Sequence, residues 1–318
     1  MEAGASRTFF NSFRFAFGAE VRQGTELRQR NYDGNPSEGF LDVASEQLVL
    51  GAYADACWKI TKSLSLSAGL RGDRYDSFGS TVNPRAALIW KPREGTTLKL
   101  LYGQAFRAPS IYQLDYSALE QQANPALEPE TIRTFELVAE QYAGTHWRGG
   151  VSLFRNEISG LIDTADAGEF IIFANVNDAR VHGAEVEVEG KWSSGLLLRA
   201  SYARQEAVDA TTGLQIVNAP ENVFKAQVIV PFFRDKFFGS MELLYGSDRT
   251  TLNRSRTGDV WLLNTTLFSH ELAPGLEMSA SIYNLLGRRY RTPAGEAHSQ
   301  DTIAQDGRTF WLKVTHRF

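Results

Sequence analysis

The run Leu64-Ser65-Leu66-Ser67-Ala68-Gly69-Leu70-Arg71-Gly72-Asp73 sets Leu64, Leu66, Ala68 and Leu70 against Ser65, Ser67, Gly69, Arg71 and Asp73. Successive side chains of an extended chain point to opposite faces, so this spacing makes one side of a strand apolar and the other polar. The same period of two returns in Phe13, Phe15, Phe17, Ala19 and Val21 against Arg14, Ala16, Gly18, Glu20 and Arg22. It recurs in Leu48, Leu50, Ala52 and Ala54 against Gly51, Tyr53 and Asp55, and in Leu196, Leu198, Ala200 and Tyr202 against Arg199, Ser201 and Ala203. In Ala184, Val186 and Val188 the opposing side chains are Glu185, Glu187 and Glu189, a charged stripe read as a solvated wall rather than a catalytic pair. Helical spacing fits none of these runs.

Cutting the chain at clusters of Gly, Pro, Asn and Asp predicts about fourteen strands. They cover 8–23, 47–58, 63–75, 82–91, 96–106, 132–142, 147–162, 169–192, 196–209, 222–231, 237–249, 259–270, 275–290 and 308–318. The connections sort by parity. Those at 59–62, 92–95, 143–146, 193–195, 232–236 and 271–274 are tight, whereas those at 24–46, 76–81, 107–131, 163–168, 210–221, 250–258 and 291–307 are mostly longer. Short turns at one end of a meander and long loops at the other predict an all-β, transmembrane, antiparallel up-and-down β-barrel. A soluble sandwich also alternates, but its strands average about 5–6 residues and its connections need not sort by parity. The six tryptophans, Trp58, Trp90, Trp147, Trp192, Trp261 and Trp311, fall at or near strand ends, where amphipathic rings suit a membrane interface.

Composition narrows the function classes. The 318 residues carry 33 basic and 37 acidic side chains, a net of -4, which gives no field for holding nucleic acid. The longest stretches without Asp, Glu, Lys or Arg, 210–220 and 260–270, fall far short of the ~18 apolar residues of a spanning helix. The one cysteine, Cys57, makes no intramolecular disulfide and is expected to pack as a small apolar residue. His146, His182, His270, His298 and His316 are scattered without metal spacing, and no nucleophile elbow, P-loop or dinucleotide fingerprint occurs. No catalytic residue, metal or cofactor is therefore assigned. Asp33, Asn35 and Glu38 read as a polar loop rather than a cation site.

Four motifs, taken in order, resemble the C-terminal barrel of TonB-dependent outer-membrane receptors. Phe106-Arg107-Ala108-Pro109-Ser110 is followed in the same loop by Asn124-Pro125-Ala126-Leu127-Glu128-Pro129-Glu130, similar to the family's "FRAP" and "NPxLxPE" pair. Asn175-Val176-Asn177 with Gly183-Ala184-Glu185-Val186-Glu187 resembles a strand with a bend midway. Ala219-Pro220-Glu221-Asn222 introduces a strand, and Tyr283 to Tyr290 with Gly307 to Phe310 and the terminal Phe318 looks like the closing hairpin. The motifs cover about residues 96 to 318. Residues 1 to 95 match in pattern alone.

The resemblance implies a Gram-negative outer membrane, a lipid bilayer around the wall, and a small-molecule or metal-chelate ligand of the iron–siderophore, haem or cobalamin class. It implies import energised through the TonB complex, and a C-terminal aromatic, Phe318, read by the outer-membrane assembly machinery. Family members have a 22-stranded barrel, a plug and a TonB-binding segment. No plug, TonB-binding segment or signal is visible in this sequence, so residues 1–318 are expected to be the C-terminal part of such a barrel; a smaller self-closed barrel is the other possibility. Tyr112, Asp115 and Tyr116, after the first motif, are candidate contacts for a flat ligand. Arg249, Arg254 and Arg256 are candidates for an anionic one. Two rivals stand beside transport: a plug-less passive porin, and an outer-membrane hydrolase built on His298 with Ser299 and Asp301.

Overall fold

The computed structural model describes residues 1–32, 39–117, 120–233 and 236–317. In chain order the elements are β1 (Glu2–Phe9), β2 (Phe13–Tyr32), β3 (Gly39–Lys59), β4 (Leu64–Tyr75), β5 (Gly79–Arg93), β6 (Thr96–Arg107), α1 (Ile111–Asp115), β7 (Gln121–Gln122), β8 (Glu130–Ala143) and β9 (Trp147–Asp166). They continue with β10 (Ile171–Lys191), β11 (Leu197–Asp209), β12 (Asn222–Phe232), β13 (Phe237–Gly246), β14 (Val260–Ser269), β15 (Leu276–Tyr283), β16 (Arg291–Pro293), β17 (Thr302–Ala304) and β18 (Thr309–His316). One sheet runs from β1 to β18, each wall strand antiparallel to the next; β7 pairs with β10 from the side, and β16 and β17 form a separate hairpin. Phe318 and the Asp33, Asn35 and Glu38 group lie outside the described residues.

The wall has fifteen strands along its path, not fourteen. The predicted strand 8–23 is a hairpin: β1 turns at Phe10 and Asn11, both with positive φ (50° and 56°), into β2. A phenylalanine in that region is strained, and Asn11 stands alone there, without a neighbouring Gly, Pro, Asn or Asp to make a turn cluster. Most of the predicted loop 24–46 is strand, because β2 and β3 continue past a register shift between Gly24 and Leu27. The predicted strand 275–290 stops at Tyr283. There Asn284, at φ 50°, turns the chain, its side chain accepting from Arg288 N at 2.9 Å and donating to Arg288 O at 2.8 Å.

Almost nothing is buried. Among the described residues the buried hydrophobic side chains are Val49, Leu114, Leu127, Ala179, Ala207 and Ala294, joined by Pro109, too few and too scattered for the core of a sandwich. The alternation instead leaves large side chains open on one face, with Leu70 at 53%, Leu100 at 56% and Leu153 at 50% exposure. An apolar face of this extent is stable only against hydrocarbon. Register carries one row of this face obliquely across the wall: Phe13, Trp58, Leu66, Leu88, Leu100, Leu137, Leu153, Ala184 and Arg204 are successive cross-strand partners. A row that starts on an aromatic and ends on an arginine is what strands tilted by roughly 40° give when they cross an apolar band.

The opposite face is polar and self-paired. Arg71 bridges Glu20 at 2.8 Å and Asp73 at 2.7 Å, Lys99 meets Glu140 at 2.9 Å, and Arg148 meets Glu187 at 3.0 Å. Cys57 belongs to this face, opposite Arg14 and Ser67, and is exposed rather than packed as expected. No helix is long and apolar enough to cross a membrane.

Leu100 sits midway along the oblique row, so Leu100→Arg is expected to destabilise the inserted wall by about 2–4 kcal/mol. Denaturant unfolding, in lipid, of the receptor that carries this wall checks this. A second expectation concerns the edges. Among the described residues β1 pairs only with β2 and β18 only with β15, which leaves two rows of backbone groups that hydrocarbon cannot satisfy. The 318-residue chain refolded alone into liposomes should therefore give no heat-modifiable monomer and no steady conductance; both together would mean that β1 and β18 had closed on each other.

Candidate functional site

The long connections gather at one end of the sheet, and the first motif residues meet there. Asn175, on β10, lies where the β9–β10 register shifts. Its Oδ1 accepts from Glu128 N at 2.9 Å, while its Nδ2 donates to Glu128 O at 2.9 Å and Gly160 O at 2.7 Å. Asn124 Nδ2 reaches Phe173 O at 2.8 Å, and Leu127 is 2% exposed beneath the loop. Arg107 pairs with Glu130, whose Oε1 also accepts from Ile162 N at 2.8 Å. Segments separated by 47 residues are thus clipped together by one amide. The Asn-Pro-x-Leu-x-Pro-Glu spacing marked this loop in the sequence, yet nothing in it named Asn175 as its partner.

Between the two clipped ends, Ser110 caps α1 in a reciprocal box with Gln113. The helix reaches over β4 and β5 to the far ends of β2 and β3. Asn31 Nδ2 donates to the Tyr116 hydroxyl at 2.6 Å, Ser45 Oγ donates to Asp115 Oδ2 at 2.6 Å, and Gln29 Nε2 donates to Ile111 O at 3.1 Å. Two of the three predicted contacts, Asp115 and Tyr116, therefore tether the loop. Tyr112 remains 46% exposed, its ring tilted 40° against that of Tyr116 at 4.6 Å and edge-on to Phe173 at 5.6 Å.

The three arginines also come together, around Gln215 of the neighbouring loop. Arg254 donates to Gln215 O at 2.7 Å, Arg256 to Gln215 Oε1 at 3.0 Å, and Arg249 to Asn218 Oδ1 at 3.1 Å. Arg256 is in addition bidentate on Asp248, with one arm at 2.8 Å, and this guanidinium holds the Asp248 carboxyl below its usual value. The cluster knits loop 247–259 to loop 210–221. Asp301 joins the same end: it accepts from Ser255 Oγ at 2.6 Å and Asn253 N at 3.2 Å, and the Ser255 bond lowers its pKa. Among the described residues no hydrogen bond joins Asp301 to His298, so the elements of a hydrolytic triad are not assembled.

On the polar face, Tyr53, Asp55, Arg71, Asn83 and Arg85 line a recess of about 430 Å³. Arg85 holds Asp55 there at 2.6 Å.

A wall of tilted antiparallel strands, apolar outside, ion-paired inside, with tight turns at one end and interlocked loops at the other, defines an outer-membrane β-barrel. The chain belongs to the TonB-dependent receptor family: the model described as "TonB dependent receptor-like, beta-barrel" matches residues 3–285. It is 24% identical over 260 residues to the vitamin B12 transporter BtuB of Vibrio vulnificus, covering 80% of this chain and 40% of that protein. A variant of the ferric enterobactin receptor PfeA from Pseudomonas aeruginosa shares the fold at TM-score 0.80 and 19% identity, covering 100% of this chain and 53% of that one. The copper transporter OprC does so at TM-score 0.77 and 17% identity, covering 100% and 55%. The chain therefore spans about half the length of these relatives. The relatives are transporters and receptors, not enzymes, and the protein is placed in the Gram-negative outer membrane.

A carboxyl whose folded pKa is lowered stabilises the fold above its unfolded value and loses that contribution as pH falls through the folded one. The Asp248–Arg256 clip should accordingly hold loop 247–259 at pH values above the ordinary aspartate value of 3.8 and release it only at more acid pH. Amide hydrogen exchange of this loop should show protection falling in that acid window, and Asp248→Asn should remove the protection at neutral pH as well.

Proposed function

We propose that the protein forms the wall and outer mouth of a receptor that captures a scarce, bulky nutrient of the iron–siderophore, haem or cobalamin class and imports it with energy relayed through TonB. Membership of the receptor family carries this reading. The interlocked loops support it, since a mouth held by α1, Asn175 and the arginine cluster presents a preorganised surface to a ligand arriving from outside. The names of two relatives, a vitamin B12 transporter and a ferric enterobactin receptor, support this ligand class, with a copper transporter standing beside them. The TonB complex and the assembly machinery are the partners this reading brings with it.

Within that mouth Tyr112 offers the open aromatic face, while Asp115 and Tyr116 keep it in position. Arg249, Arg254 and Arg256 act on the ligand through the loop they fix and through their summed charge. Cells carrying the gene should accumulate radiolabelled cobalamin or one ferric siderophore, and a protonophore should abolish that uptake. Tyr112→Ala should weaken ligand capture roughly three- to tenfold, the scale of one aromatic contact. Uptake that survives the protonophore would identify a passive pore instead.

A further inference from the structure

On four adjacent strands the apolar face ends in arginine. Outward positions on β8 run Leu137, Phe135, Arg133; on β9 they run Val151, Leu153, Arg155. On β10, Val188 and Val186 give way through Ala184 to His182 and Arg180, and on β11 Tyr202 is followed by Arg204. The register fixes the side of the wall, because Phe135 opposes Arg155, Arg155 opposes His182, and Ala184 opposes Arg204. All five polar side chains are exposed.

The tilt of the strands brings the arginines level. A two-residue step along a strand is about 6.8 Å and a strand spacing about 4.8 Å, so at roughly 40° of tilt Arg133, Arg155 and Arg204 fall at about one depth, on a line of about 20 Å. On β9, Arg155 lies eight residues from Trp147 at the tight-turn end, or about 20 Å of height, which sets it at the loop-side edge of the apolar band. That edge is the outer leaflet. The stripe is local: at Arg204 the next strand offers Asn222, and β13 and β14 carry Tyr245 and Trp261 in the row below.

Internal pairing leaves the stripe cationic. Arg155 reaches Glu157 at 2.6 Å, His182 lies 3.5 Å from Glu206, and Arg133 donates to Gln104 at 3.2 Å. Arg180 and Arg204 have no side-chain hydrogen bond or ion pair among the described residues. Four arginines against two glutamates leave two net positive charges facing lipid. A recess of about 540 Å³ opens beside them, lined by His182, Arg204 and Glu206.

We propose that this outward stripe on β8 to β11 binds the phosphate groups of a phosphorylated glycolipid of the outer leaflet, with Arg133, Arg155 and Arg204 as its phosphate contacts. Planar guanidinium forks match phosphate oxygens, and a lipid-borne anion at this depth meets them without leaving the interface. The acyl chains then lie along the Leu137 and Leu153 rows below. The inference rests on the bilayer placement of the wall and is independent of the transported ligand.

The test measures glycolipid bound per receptor, using the receptor that carries this wall as it occurs in outer membranes, purified in mild detergent. Wild-type protein should retain phosphorylated glycolipid, and the combined Arg133→Gln, Arg155→Gln and Arg204→Gln variant should retain at least tenfold less while keeping heat-modifiable mobility. A second arm uses unaltered protein, stripped of lipid and offered the glycolipid with and without its phosphates. At least tenfold preference for the phosphorylated form is expected, with no competition from millimolar inorganic phosphate. Equal retention by the variant, absence of phosphate preference, or displacement by inorganic phosphate would each overturn the proposal.

Discussion

Hydrocarbon cannot hydrogen-bond, so every backbone N–H and C=O within the apolar band must find its partner in the chain. The unbroken ladder from β1 to β18 answers that constraint, and most other features depend on it. Because the ladder fixes which residues stand beside one another, alternation on one strand becomes a continuous face across all of them. The same ladder sets which side chains face away from lipid. Arg71, Lys99 and Arg148 then find carboxylates on neighbouring strands, and the polar face neutralises itself pair by pair. The stability of such a wall lies in backbone pairing and in the lipid contact of one face, with scarcely any buried core.

Where the ladder ends, side chains take over. The loops have no sheet to satisfy their backbone groups, and the clips at Asn175, Asp301 and Asn284 are amide and carboxylate side chains bonded largely to main chain, while the Gln215 side chain is held by the side chains of Thr250, Arg256 and Glu221. Each joins segments far apart in sequence or fixes a turn. The mouth is therefore held by a small number of polar residues whose loss would free whole loops, whereas the wall spreads its support over every strand.

Much of the wall was legible in the sequence because period-two alternation and the parity of connection lengths are local signals. Leu64 to Asp73 declared its faces directly, and the strands around it followed. The hairpin at Phe10 and Asn11 escaped because a left-handed phenylalanine announces no turn. The extensions of β2 and β3 escaped because charged and polar residues such as Arg28, Arg30 and Asp42 dominate their outer parts, where the apolar alternation shrinks to Leu41 and Val43. In the mouth, the motifs located the loops but not their partners. Tyr116 and Asp115 read as candidate ligand contacts, and a sequence does not state that Asn31 and Ser45 stand opposite them. The arginines of 249–256 share one loop in the sequence, yet their anchor, Gln215, is an unremarkable glutamine in a separate loop.

The two ends of the sheet differ in what it would take to move them through the bilayer. Tight turns such as Gly144 to His146 bring little into hydrocarbon, while the opposite connections bring whole networks of charge, Asp248 with Arg256 and Asp301 with its hydroxyl donors. Dragging such loops across an apolar layer means stripping water from each charged group. Once the wall is in place, that barrier acts as a ratchet on orientation. The loops reach the outside once, during assembly, and a protein that has lost every other energetic advantage would still remain facing the same way.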